Sequence, residues 1–148
     1  MPIRGAKDLQ RILTDVSGLF GNGIIGAVYS NNGHPKDPSK WGNRICILET
    51  TKCRIEAHQF LRNISGQPPH ISVSVYREKF PLLESDLERN VMVRRLGEEK
   101  IEVINGSPYL TFRTPPTEPE LRHALFTFYN IMDDFYKARN IYSQILRS

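Results

Sequence analysis

From Glu118 to the C-terminus, apolar and aromatic residues recur at alternating steps of four and three, with Arg139 as the one exception. This spacing keeps them on one side of an α-helix, and the stretch is long enough for a helix of about 45 Å. The breaker Thr114-Pro115-Pro116 comes shortly before it. The stripe contains Leu121, Leu125, Phe128, Met132, Phe135, Tyr142 and Leu146. The pattern predicts a long amphipathic helix with a broad apolar face.

Residues 6–20 show a second helical pattern. Charged residues separate the apolar positions at the spacing of an amphipathic helix. The apolar positions are Leu9, Ile12, Leu13, Val16, Leu19 and Phe20. Gly21-Asn22-Gly23 follows, and glycine readily takes the left-handed conformation that closes a helix. We therefore expect an N-terminal helix.

Three short runs predict strands. Ile24–Ser30 and Ile45–Leu48 are apolar and bounded by turn residues, so they can form a hairpin with a long loop over residues 34–44. Ile71–Tyr76 alternates apolar with small polar residues, which is typical of a strand with one buried face.

Residues 52–64 fit two structures. As a strand, the segment alternates polar residues with Cys53, Ile55 and Ala57. As a helix, it places on one face Cys53, Ala57, Phe60, Leu61 and Ile64. Because the helix includes more of the apolar residues, we favour the helix.

The segment from 81 to 113 predicts a short helix followed by strands. Proline at the first position favours two helical turns over residues 81–89. The predicted strands are Val91–Arg95, Ile101–Ile104 and Tyr109–Arg113. Asn105-Gly106 tolerates the positive φ of a type I′ turn, so it predicts the hairpin between the last two strands. The stretch 90–113 then forms a three-stranded antiparallel meander.

These elements predict a single α+β domain over residues 1–148. In it, an antiparallel sheet of five or six strands is packed by the N-terminal helix and the long C-terminal helix. A chain of this length can bury a substantial core.

Bulk properties restrict the compartment more than the activity. The formal charge is +4, and no apolar run approaches the length of a membrane span. The N-terminal residues lack the apolar core of a signal peptide, so we expect an intracellular protein, cytoplasmic or nuclear. Cys46 and Cys53 are then reduced thiols.

No residue pattern indicates catalysis. The four histidines do not have metal-ligand spacing, and nucleophile and metalloprotease signatures are absent. Acidic runs such as Glu98-Glu99 are typical of solvated faces. We therefore expect neither an enzyme nor a bound metal or cofactor.

The loop over residues 34–44 is the strongest candidate for a nucleic-acid site. It combines cations, which neutralise phosphates, with the single tryptophan, which can stack on a base. Arginines elsewhere can extend this basic surface. The predicted site is Lys36, Lys40, Trp41, Arg44, Arg54, Arg62, Arg94 and Arg95.

Aromatic residues of the final helix also lie off its main stripe, where the sheet cannot bury them all. They are Phe126, Tyr129 and Tyr136. Aromatic residues that remain after a core is covered are typical of protein interfaces. We expect them to mediate self-association, as in a homodimer.

The sequence thus favours a non-catalytic binding protein that self-associates and presents a basic surface to nucleic acid, in particular RNA, or to an acidic protein. The alternative is a protein–protein interaction or assembly adaptor with no nucleic-acid role. A third class, a small enzyme whose site is not visible in one sequence, stays open.

Overall fold

The computed structural model describes residues 2–4, 6–17, 24–30, 44–49, 54–61, 66–76, 86–106 and 109–147. The helices are α1 (Ala6–Ser17), α2 (Asp86–Glu98) and α3 (Glu118–Arg147). The strands are β1 (Ile24–Ser30), β2 (Arg44–Glu49), β3 (Arg54–Phe60), β4 (His70–Tyr76), β5 (Glu102–Asn105) and β6 (Tyr109–Thr114). They form one six-stranded antiparallel sheet in the order β1-β2-β3-β4-β6-β5. The predicted α+β architecture, with a helix at each end of the chain packed on an antiparallel sheet, is confirmed.

All three helices pack on the same side of the sheet, which we call the helix face. Ala57 of β3, Val73 of β4 and Phe112 of β6 lie in register across this face and are fully buried. One apolar cluster joins such strand residues to all three helices through Leu9, Ile12, Leu13, Val16, Met92, Leu96, Leu121, Leu125, Phe128 and Met132. The intervening strand residues point to the opposite side, which we call the open face. None of the described helices covers it.

The long helix α3 lies between α1 and α2. It begins after Thr117, whose carbonyl accepts the first helical hydrogen bond, from the Leu121 amide at 3.0 Å. Near its middle, the Phe128 ring packs on Phe112 with 5.8 Å between centroids. The predicted stripe is buried as far as Met132, and Phe135 packs against the core. In the described part of the chain, no helix combines the length and apolar character needed to cross a membrane.

A network of charged side chains joins α1 to the start of α3. Both guanidinium nitrogens of Arg11 donate to the Glu118 carboxylate at 3.0 Å. Arg122 also contacts Glu118 at 3.0 Å, and it reaches Asp15 of α1 at 2.7 Å. The two guanidinium groups lower the pKa of Glu118 to about 2. Glu118 therefore stays ionised between two cations and connects α1 to the start of α3.

Several other predictions are confirmed within the described residues. Residues 6–17 are helical, β1 and β2 pair as the predicted hairpin, and β4 has the expected alternating burial. Cys46 is a free, buried cysteine, and burial raises the pKa of its thiol to about 11. Residues 18–20, most of the 34–44 loop and Cys53 lie outside the described residues.

The helix favoured for residues 52–64 is wrong, because residues 54–60 form β3. Ile55, Ala57 and Gln59 face the core. The polar Gln59 hides this alternation in the sequence. It is tolerated there because its side-chain amide donates to the Ile3 carbonyl at 3.1 Å.

The strand predicted at Val91–Arg95, and with it the three-stranded meander, is also wrong, because these residues belong to α2. The buried side of α2 is short in apolar residues, since Arg89 occupies a core position beside Met92. Its guanidinium donates to the Tyr109 carbonyl at 2.6 Å. The helix predicted over 81–89 overlaps α2 from residue 86, and residues 81–85 lie outside the description.

The predicted hairpin between β5 and β6 exists, but Asn105-Gly106 is not its turn. The Gly106 amide donates to the Tyr109 carbonyl at 3.1 Å, so the pairing of the two strands continues past Asn105. Asn105 is still paired, with Leu110. Among the described residues, positive φ occurs at Gly66 and Lys100 instead.

Lys100 ends α2 in a conformation that usually belongs to glycine. Its φ is 62°, its amide donates to the Gly97 carbonyl at 2.9 Å, and the Ile101 amide donates to the Leu96 carbonyl at 3.1 Å. These two bonds define a Schellman motif, and the buried pair Leu96 and Ile101 supplies its apolar contact.

We expect Lys100→Gly to stabilise the protein by about 1 kcal/mol, because glycine adopts this conformation without the steric penalty of a side chain. Urea unfolding at neutral pH measures the effect. Glu99→Gly is the control, since residue 99 does not have a positive φ and glycine offers no conformational advantage there. A Lys100→Gly protein no more stable than wild type would contradict the assignment.

We expect Glu118→Gln to reduce the acid sensitivity of the fold. The pKa of Glu118 is lowered from 4.5 to about 2, so its contribution is present above pH 4.5 and is lost as the pH falls toward 2. As the pH falls from 4.5 toward 2, the melting temperature should decline less for the variant than for wild type. At pH 4.5 the variant should be the less stable of the two. Glu120→Gln removes a charge from the same helical turn and should keep the wild-type decline. If the melting temperatures of Glu118→Gln and wild type fall equally over this pH range, the network is not a cause of the acid sensitivity.

A candidate recognition surface on the open face

The described residues of the predicted nucleic-acid site do not form one surface. Arg54 lies on β3 and points to the open face, whereas Arg94 and Arg95 belong to α2 on the helix face. Arg94 is exposed, and Arg95 pairs with Asp134 of α3 at 2.8 Å. For Arg44, the backbone at the start of β2 is described and the side chain is not. Outside the described residues lie Lys36, Lys40, Trp41 and Arg62.

The predicted interface residues of α3 have different environments. The Phe126 side chain is 43% exposed, as expected of an interface residue. Tyr129 instead packs against the edge of the core. The side chain of Tyr136 lies outside the described part of α3. Self-association through this helix stays a prediction.

The open face carries mostly polar and aromatic side chains where the strands meet in register. Most of them are partly exposed, whereas Ile45 and Thr111 are buried. His58, Ser72 and Arg113 form one row across β3, β4 and β6. The complete described set is Ile45, Ile47, Arg54, Glu56, His58, Phe60, His70, Ser72, Ser74, Tyr76, Glu102, Ile104, Tyr109, Thr111 and Arg113. Alternation along each strand places them together, opposite the core residues.

Glu56 is the centre of a polar cluster on this face. Its carboxylate lies 3.7 Å from the Arg54 guanidinium and 4.0 Å from the His58 ring, and it accepts a hydrogen bond from the Tyr76 hydroxyl. Arg54 also lies over the Tyr76 ring at 5.6 Å from its centroid, within the range of a cation–π contact. Tyr76 in turn contacts Tyr109 with 6.0 Å between ring centroids.

These contacts set the protonation of the cluster. The hydrogen bond to Glu56 and burial raise the pKa of Tyr76 to about 12, because both disfavour the phenolate. Burial lowers the pKa of His58, and the nearby Glu56 opposes this only in part. Near neutral pH, Tyr76 is therefore a hydrogen-bond donor and His58 a neutral ring. This arrangement suits the binding of hydrogen-bonding groups more than proton transfer.

A groove continues the open face at the end of the sheet that carries His70. The His70 ring packs against the Phe60 ring in a tilted arrangement, with 5.0 Å between the ring centroids. The Nδ1 of His70 lies 2.8 Å from the Pro68 carbonyl oxygen. The groove has a volume of about 340 Å³. It is lined by Gln67, Pro68, Pro69, His70, Lys100, Glu102, Arg113, Thr114 and Pro115. Its size suits one or two side chains of a partner.

Most of this surface was missed in the sequence. The signal was the polar half of the alternation in residues 54–60 and 70–76, which marks the side of a strand that does not face the core. In β3 the favoured helix concealed it. Once β3 is a strand, Glu56 and His58 must share a face with Ser72 and Ser74 of β4.

Comparisons with known proteins give no further guidance. No protein-family model, no curated protein and no solved structure matches the chain. Among the described residues, no group of three or more His, Cys, Asp or Glu side chains could hold a metal ion. The open face is therefore the feature of the described residues from which a function can be inferred.

We expect Glu56→Gln to lower the pKa of Tyr76 from about 12 toward its ordinary value of 10.0, because the charged acceptor of its hydroxyl is lost. Tyrosine ¹³C NMR at about pH 11, midway between these values, should show Tyr76 largely neutral in wild type and largely ionised in the variant. Glu102→Gln is the control, since Glu102 pairs with Arg113 and not with Tyr76. An unchanged Tyr76 titration in Glu56→Gln would rule out the hydrogen bond.

Proposed function

We propose that this protein is a non-catalytic binding module that recognises a partner protein through the open face of its sheet. The observation that carries the proposal is a half-exposed surface that combines aromatic rings, hydroxyl groups and paired charges. Tyr76, Tyr109 and Phe60 supply rings, and Ser72 and Ser74 supply hydroxyls. Aromatic residues amid satisfied polar groups are characteristic of protein interfaces.

The charge balance of the open face favours a protein over a polyanion. Its two described arginines each have a carboxylate partner, Arg54 with Glu56 at 3.7 Å and Arg113 with Glu102 at 3.2 Å. Nucleic-acid affinity depends on cations that are free to neutralise phosphates. The described surface suits a partner of low net charge better than a polyanion. The polar groups of such a partner can form hydrogen bonds with these hydroxyls.

The groove beside His70 supports the same function. Pro68, Pro69 and Pro115 give it rigid apolar walls, and Lys100 and Arg113 provide donors. An apolar side chain of the partner can enter such a groove while its backbone contacts the polar rim. The open face would then contribute contact area, and the groove would bind one side chain of the partner.

A second candidate is the binding of single-stranded nucleic acid, in particular RNA. The observation in its favour is the Arg54 guanidinium over Tyr76, next to Tyr109, which places a cation beside two rings. Bases stack on such rings in many RNA-binding sheets. The predicted cations and Trp41 of the 34–44 loop would have to extend this patch.

The partner class can be tested with a photo-crosslinking residue on the open face. We expect benzoylphenylalanine at Tyr109 to capture a protein other than this chain from an extract of the source cells. The same residue at Phe126 is the matched position on α3, because the two side chains have similar exposures of 39% and 43%. Ser72→Arg should abolish capture at 109 by placing an unpaired charge in the surface, and Asn130→Arg on the exposed side of α3 should not.

Capture at 126 alone, or capture at 109 that survives Ser72→Arg, would contradict recognition through the open face. The proposed binding of nucleic acid is tested by measuring RNA affinity at several salt concentrations. Labelled single-stranded RNA should bind with an affinity that falls steeply with salt, and Arg54→Ala should weaken it more than Arg94→Ala on α2. If RNA binds in this way and no protein is captured, the second candidate replaces the first.

A further inference from the structure

Strand β5 is an edge of the sheet, with β6 on one side and no other described strand on the other. The bond from the Gly106 amide to the Tyr109 carbonyl fixes which residues face β6. Hydrogen-bonded pairs alternate along an antiparallel ladder, so Ile104 and Glu102 also bond to β6. The amide and carbonyl groups of Val103 and Asn105 therefore point outward from the edge.

This edge strand is short, but it has no proline, bulge or unpaired charge to keep another sheet from joining. The opposite edge strand, β1, has an irregular register between Ile25 and Ala27. β5 is regular and contains no proline, and its single charged residue, Glu102, is paired with Arg113 of the same chain at 3.2 Å. A regular edge with an exposed apolar side chain is a template for another strand. Ile104, 38% exposed, is that side chain.

We infer that β5 is the site where a second copy of this chain binds, joining the two sheets edge to edge in a two-fold dimer. The hydrogen-bonding positions are self-complementary about Ile104. With the two-fold axis through this residue, Val103 of each copy pairs with Asn105 of the other, and each of these two pairs forms two N–H···O bonds. Ile104 then lies opposite Ile104 of the other copy, so both exposed apolar side chains are buried together.

The part of α2 beside this edge fits the same partner. Asn90 contacts Asn105 of β5 at 3.4 Å, which places this flank of the helix next to the edge. Asn90, Val93 and Gly97 follow each other along the flank at helical spacing and are uncharged, although α2 is otherwise rich in charge. The space beside Gly97 is open. The exposed Arg94 borders this flank, so a second α2 helix can approach most closely at Gly97.

A charge-swap experiment tests this arrangement. Wild type should have twice the 17.0 kDa mass of one chain in light scattering at high micromolar concentration. Ile104→Lys alone and Ile104→Glu alone should each be monomeric, because the two-fold axis brings like charges together. Mixing the two variants should restore a dimer that contains one of each, as native mass spectrometry can show. A substitution at an exposed site should leave each monomer folded.

A second variant tests the backbone bonds. Val103→Pro removes an amide that points away from β6, so the internal ladder is kept and the dimer should be lost. Val103→Ala keeps the amide and should remain dimeric. The inference would be overturned by a monomeric wild type, by Ile104 variants that remain dimeric, or by a mixture that does not reassociate. Loss of the dimer in Phe126→Ser but not in the Ile104 variants would assign the interface to α3 instead.

Discussion

The packing of all three helices on one side of the sheet is the constraint on which the other features depend. Phe112 and Phe128 meet near the centre of that side, and the apolar residues of α1 and α2 extend the core on either side of α3. Because the core is closed on this side, the alternate residues of each strand are free to be polar. The open face and the two sheet edges are the consequences of this arrangement.

The helix layer is also fixed in position by charge. Glu118 connects α1 to α3 through Arg11 and Arg122, and Arg95 connects α2 to α3 through Asp134. Exposed ion pairs contribute little to stability singly, but those around Glu118 form a network with two-pronged geometry. Such contacts join the helices at their exposed surfaces, outside the apolar core. Arg11, Arg95 and Arg122 thus pair with carboxylates of the same chain, which leaves less of the positive charge to bind a polyanion.

The sequence predicted the elements in which one periodicity dominates, and it failed where a buried polar residue interrupted the pattern. The stripe of α3 and the alternation of β4 contain only apolar residues on the buried side, so both were assigned correctly. Gln59 in β3 and Arg89 in α2 occupy core positions because distant carbonyls accept their hydrogen bonds. Those acceptors reach their positions only in the tertiary fold, so no local sequence pattern predicts them. The Glu56 cluster was missed for the same reason, since it requires β3 and β4 to be neighbours.

The residues of the proposed recognition surface lie apart from the apolar core. The open-face residues Glu56, Ser72 and Tyr109 belong to no part of the apolar cluster, and Ile104 at the edge is not needed to close the core. Substitutions there change what the surface can bind while the helix-face packing is kept. The two proposed surfaces share Ile104, but the open face acts through side chains, whereas the β5 edge acts mainly through backbone groups. A second copy bound at that edge would extend the open face into one larger sheet, because antiparallel addition keeps equivalent faces on the same side. Dimerisation would thus place two open faces side by side and cover only their border at Ile104.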